Sequence, residues 1–103
     1  MIKVSVLYEN TPGKKFDMAY YCAKHIPMVR QKLGVACKRT EVDQGLGGVQ
    51  PGSKPAFIAQ AHFLFDSIES FQKAFAPHAE SIMADIPNYT DVAPIIQLNE
   101  VKL

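Results

Sequence analysis

The chain has 103 residues, a formal net charge of +1, 48% hydrophobic residues and 20% charged residues, the proportions of an ordinary globular protein. That length makes a single domain over residues 1–103, large enough to fold without disulfide or metal staples. No basic run supports nucleic-acid binding, and no apolar run approaches the roughly 20 residues that span a membrane.

The opening stretch MIKVSVLYEN has neither a long apolar core nor a small-residue cleavage site, so it does not read as a secretion signal. It reads as a strand from Ile2 to Tyr8. Ile2, Val4, Val6 and Tyr8 share one face, and Lys3, Ser5 and Leu7 the other. Asn10-Thr11-Pro12-Gly13 is a turn-forming cluster.

The stretch Phe16 to Leu33 reads as one helix. Asp17 suits an N-cap, and Gly34 can take the left-handed conformation that ends a helix. At roughly 100° per residue, Met18, Ala19, Cys22, Ile26, Val29 and Leu33 form the expected buried face. Tyr21 and His25 fall on its flank, four residues apart and side by side. Pro27 cannot donate to the carbonyl of Ala23, so a kink or change of pitch is expected next to His25.

Val35 to Gln44 suits an edge strand. Gly45 to Pro55, GLGGVQPGSKP, is a loop, either a plain hairpin tip or a lid over a pocket. Ala56 to Phe65 is the strongest strand. Phe57, Ala59, Ala61, Phe63 and Phe65 lie on one face; Ile58, Gln60, His62 and Leu64 lie on the other. Asp66-Ser67-Ile68-Glu69 resembles a capping box and opens a second helix, whose apolar arc runs through Ile68, Phe71, Phe75, Ala79, Ile82 and Ile86. Pro77 should bend or split it, and Pro87 should end it. Pro94 to Val101 is a last strand.

The order β-α-β-β-α-β predicts an α+β, ferredoxin-like fold, an antiparallel sheet with two helices on one face. Two helices leave the other sheet face bare. The third strand is apolar on both faces, so a homodimer through the open sheet face is expected. Cys22 and Cys37 have no metal or redox spacing and read as free thiols of a cytoplasmic protein. The three histidines share no ligand spacing, so no metal site is expected.

Four blocks carry a family resemblance: MIKVSVLYEN, FDMAYYCAKHIPMV, GLGGVQPGSKPAFIAQAHFLFDS and AFAPHAESIMADIPNYTDVAPIIQ. Together they make the chain resemble the EthD-like proteins, a branch of the dimeric α+β barrels named after ethyl tert-butyl ether degradation. The resemblance implies a pocket between sheet and helices. It places Tyr20, Tyr21, His25 and Pro27 in the family's first-helix motif, and Asp85, Pro87, Asn88 and Tyr89 in its late motif. Relatives of the barrel include quinone-forming monooxygenases, muconolactone-type isomerases, polyketide cyclases and haem-degrading enzymes, and fold alone does not choose among these reactions.

The chemistry expected of these residues is proton transfer. An imidazole titrates near neutrality, so His25 is the candidate proton shuttle or, on the bland alternative, a histidine bonded to backbone. Tyr21 would position a substrate oxygen. Asp85 would orient His25 or act as a base, or else simply brace its own turn. Tyr20, Pro27, Asn88 and Tyr89 are candidate substrate contacts. The expected function is an oxidoreductase of monooxygenase type acting on a small apolar or aromatic compound, with no cofactor. The alternatives are an isomerase or cyclase, or a binding or accessory protein for a partner oxygenase. A haem held by His25 alone, as in some relatives, is the alternative on cofactors.

Overall fold

The computed structural model describes residues 1–103. Four strands, β1 (Ile2–Glu9), β2 (Arg39–Gln44), β3 (Phe57–Phe65) and β4 (Ile95–Glu100), form one antiparallel sheet in the order β2-β3-β1-β4. The two central strands, β1 and β3, are the two of greatest apolar content, as expected. They pair Val4 with Phe63 and Tyr8 with Ala59. Helix α1 is α-helical over Met18–Tyr20, π-helical over Tyr21–His25 and α-helical again over Ile26–Leu33. Helix α2 runs over Ile68–Phe75 and Ala79–Ala84, divided by a 3-10 turn, Ala76–His78, that contains Pro77. Both helices cover one face of the sheet, and the architecture is the ferredoxin-like α+β fold.

The caps follow the local chemistry. The Asp17 carboxylate accepts the Tyr20 N–H at 3.0 Å, and the Ser67 hydroxyl accepts that of Ser70 at 3.0 Å. Gly34 takes φ +63° where α1 ends, the conformation that favours glycine.

The buried face of α1 differs from the one the helical wheel predicts. Ala19 and Cys22 are exposed, whereas Tyr21 and His25 are buried together with Ile26, Val29 and Leu33. The π-turn is the cause. It fits one extra residue into a turn, which rotates the flank positions inward and carries Cys22 out.

The bare face of the sheet is polar at its centre rather than uniformly apolar. Asn99 Nδ2 donates to Ser5 Oγ (3.0 Å), which lies 2.8 Å from His62 Nδ1, and His62 Nε2 lies 3.3 Å from Gln60 Oε1. Leu7, Ile58, Leu64 and Ile95 flank this row, the last 43% exposed. In the β2–β3 loop, Leu46 and Val49 point to solvent and no loop residue reaches the core cavity, so the loop is no lid over its own subunit's pocket.

Candidate functional site

The site begins at Pro27. Lacking an N–H, it cannot close an α-turn onto the Ala23 carbonyl. Just before it, the Ile26 N–H reaches back to the carbonyl of Tyr21, five residues away. This single wide turn points the rings of Tyr21 and His25 at the sheet, nearly parallel, with centroids 5.5 Å apart.

The second contributor is the end of α2. Pro87 stops the helix, and Ile86–Asn88 forms a 3-10 turn. Backbone bonds from Asn88 N–H to the Asp85 carbonyl and from Tyr89 N–H to the Ile86 carbonyl, both 3.0 Å, set Asp85 and Tyr89 on one side of it. The Asp17 N–H donates to the Tyr89 carbonyl at 2.8 Å, tying this turn to the start of α1.

Five side chains, Tyr20, Asp85, His25, Tyr89 and Tyr8, then form one line, with Asn88 as a branch at Asp85. Asp85 Oδ2 lies 2.9 Å from His25 Nδ1. The other carboxylate oxygen accepts from the Tyr20 hydroxyl at 2.8 Å and from Asn88 Nδ2 at 2.9 Å. On the far side of the imidazole, the Tyr89 hydroxyl lies 3.3 Å from Nε2, and the Tyr8 hydroxyl lies 2.6 Å from that of Tyr89. Tyr8 comes from the middle of the sheet, His25 from α1, and Tyr89 from the late turn.

Electrostatics fix the protons along this line. Burial disfavours the imidazolium and lowers the pKa of His25, although Asp85 pulls the other way. Partial burial pushes Asp85 up, but hydrogen bonds from Asn88, His25 and Tyr20 outweigh it and hold the carboxyl below its ordinary range. Burial raises Tyr8, Tyr21 and Tyr89, so these phenols stay neutral. The donated hydrogen bond to Asp85 raises Tyr20. At neutral pH a carboxylate therefore faces a neutral imidazole. A carboxylate only accepts, so Nδ1 carries the hydrogen and Nε2 carries the lone pair. Tyr89 donates to Nε2 and Tyr8 donates to Tyr89.

Beside this line, between sheet and helices, lies a cavity of about 80 Å³, room for several waters or a small organic fragment. Of its 17 lining residues, 15 are hydrophobic; the others are His25 and Pro94. Its polar end is made by Tyr8, Tyr21 and His25, and its apolar end by Phe63, Phe65, Phe71, Phe75 and Ile82. Met83 (41% exposed) and Ile96 (46% exposed) mark its mouth. No Lys, Arg, Asp or Glu touches it.

Of the predicted site residues, His25 and Tyr21 line the cavity. Asp85 stands behind His25, with Tyr20 and the exposed Asn88 bonded to it. Tyr89 is wholly buried (0% exposed) behind the cavity wall rather than at a pocket mouth. Pro27 is exposed and does not line this cavity; it stands directly after the π-turn. Tyr8 is the residue that sequence reasoning missed. Its one signal was to be the sole hydroxyl on the apolar face of β1.

The residues present do not fit a haem: both nitrogens of His25 are engaged, and the cavity is far smaller than a porphyrin. No three His, Cys, Asp or Glu side chains come together as a metal site would need. No helix is long and apolar enough to cross a membrane.

The family model for the EthD domain matches residues 13–93. Among solved structures, the chain is similar to an EthD-like protein from Ralstonia eutropha JMP134. The two share 48% identity over 99% of this chain and 92% of that one, with a TM-score of 0.95. It is also similar to an ethyl tert-butyl ether degradation (EthD) family protein from Bacillus halodurans C-125. There the identity is 20% over 99% of both chains, at a TM-score of 0.74. A dimeric ferredoxin-like protein of unknown function from Thermobifida fusca YX shares the fold, at 12% identity over 97% of this chain and 90% of that one, TM-score 0.64. No curated protein matches the chain. The π-turned first helix and the late turn that together build the site lie within the matched residues, and the chain belongs to the EthD family.

Proposed function

We propose that this protein is an enzyme acting on a small, uncharged, largely apolar or aromatic organic compound, with His25 as the proton acceptor. The observation that carries this reading is an imidazole backed by a carboxylate at 2.9 Å, at the polar end of an otherwise apolar cavity. When Nε2 takes a proton, Asp85 stabilises the imidazolium, as a carboxylate does behind other catalytic histidines. Tyr21 positions the substrate oxygen. Removing a proton from a hydroxyl or from a carbon next to a carbonyl is the opening step of cofactor-free oxygenation, of isomerisation and of cyclisation. We place the protein with oxidoreductases of monooxygenase type in catabolism, in line with the ether-degradation name of its family, and use no bound cofactor.

Replacing His25 with Ala or Gln tests this. Turnover of a fitting substrate falls by about 10²–10⁴-fold while circular dichroism shows the fold intact. A binding or accessory protein would show no turnover in any form and only a modest change in affinity.

The same reading includes a homodimer through the bare sheet face, supported by the half-exposed apolar residues around Ser5 and His62. It also places the protein in the cytoplasm, supported by its two free thiols, Cys22 and Cys37.

A further inference from the structure

Neither nitrogen of His25 is open to the cavity. Nδ1 is held by Asp85 and Nε2 is covered by the Tyr89 hydroxyl, and the side chain is 6% exposed. Tyr89 does not line the cavity; Tyr8 does. A ligand in the cavity therefore meets Tyr8, whose hydroxyl is bonded at 2.6 Å to the group that covers the base. Tyr21 also lines the cavity, and its hydroxyl interacts with that of Tyr8, but it makes no hydrogen bond to Tyr89 or His25, so it joins the line only through Tyr8.

We propose that Tyr8 is the catalytic residue through which the cavity exchanges protons with His25, with Tyr89 as the relay between them. This rests on the enzymatic reading above and specifies its proton route. The ligand's acidic O–H or C–H gives its proton to the Tyr8 oxygen. Tyr8 gives its own to the Tyr89 oxygen, and Tyr89 gives its own to Nε2. Three protons move and both phenols end neutral. The separated charges are a ligand anion and an imidazolium paired with Asp85, so no oxidant or reductant is needed for this step. The transfer also reverses the line. The Tyr8 hydroxyl that received the proton now donates to the new anion, which is the placement that stabilises developing negative charge.

The test follows the ¹⁵N and ¹H resonances of the His25 ring in the intact protein, in wild type, Tyr8→Phe, Tyr89→Phe and the double variant, with circular dichroism as a check on folding. Tyr89→Phe removes the donor that favours neutral imidazole and raises the His25 titration midpoint by about half to one pH unit. Tyr8→Phe raises it by less, because it acts only by weakening Tyr89 as a donor. In the double variant the Tyr8 contribution vanishes. An effect of Tyr8→Phe that persists in the Tyr89→Phe background overturns the relay, as does no effect at all.

A second arm uses phenol as the probe. Bound phenol shifts the Nε2 resonance in wild type and leaves it unmoved in Tyr8→Phe, where saturation transfer still reports binding. A shift that survives in Tyr8→Phe means the ligand reaches the imidazole directly; the relay then falls while His25 keeps its role. Phenol that fails to bind the wild type at millimolar concentration removes the reading beneath, and the relay with it.

Discussion

The Tyr8 and Tyr89 hydroxyls lie 2.6 Å apart although 81 residues separate them in the chain. That contact joins the central strand to the turn after α2, and it is buried. Removing the Tyr8 hydroxyl leaves Tyr89 its bond to His25 but no donor to its buried oxygen, which costs about 1–3 kcal/mol. Tyr8→Phe, which keeps the ring, should lower stability by that amount in urea unfolding. Unchanged stability would mean that the Tyr89 oxygen finds another donor.

Acid should unfold the protein in two stages. His25 titrates below its ordinary 6.5 when folded, so the unfolded chain binds its proton first. Stability is full above pH 6.5 and falls as pH drops below that value. Asp85 titrates below its ordinary 3.8, so its contribution holds above 3.8 and is lost as pH falls further. For each group the slope is at most about 1.4 kcal/mol per pH unit. His25→Gln should abolish the first stage and leave the second, measured by urea midpoints between pH 7 and pH 3.

Asp85→Asn removes the charge that favours the imidazolium. The His25 midpoint, read by NMR, should fall further below 6.5, and turnover should fall by up to about 10⁴-fold, as when the carboxylate behind a catalytic histidine is lost. A rise in the midpoint would show that Asp85 does not act on His25 electrostatically.

Pro27→Ala restores the N–H that the Ala23 carbonyl lacks. Proline at the start of a helical segment is tolerated, so stability should change by less than about 1 kcal/mol. The wide turn, however, can then close into regular α-helix and rotate His25 outward. Its midpoint should move up towards 6.5. A buried, still-depressed His25 in this variant would show that packing alone holds the π-turn.

Leu7 sits on the bare sheet face, opposite Gln60 and Ile95. Leu7→Lys places a charge where the second sheet would rest; sedimentation should show a dimer for the wild type and a monomer for this variant. A wild type that is monomeric at micromolar concentration would contradict the proposed pairing.

The sheet was legible in the sequence because strand alternation is local. Phe57 to Phe65 shows period two over nine residues, and its central place follows from the order of elements. The inward turn of His25 was not legible. Helical-wheel reasoning assumes 100° per residue throughout, and Pro27 announces a disturbance without saying that it will be a π-turn on its N-terminal side. Tyr21 and His25 stood out because residues four apart on a helix are neighbours. Asp85 and Tyr89 were found as one late cluster, but their division of labour, one against each ring nitrogen, needed the tertiary contacts. Tyr8 was hidden for the same reason: on its strand it reads as one more core aromatic.

The break at Pro77 divides the labour of the cavity wall. The polar end is anchored in β1 and α1, where a change would disturb sheet and chemistry together. Ile82 and Met83 ride on the short Ala79–Ala84 segment, and Ile86 on the turn after it, beyond a joint that uncouples them from Ile68–Phe75. Substitution of the Ile82 or Met83 side chain can enlarge or narrow the chamber while Tyr8, Tyr21 and His25 keep their places on β1 and α1, so relatives handling bulkier compounds are expected to differ first at those two positions.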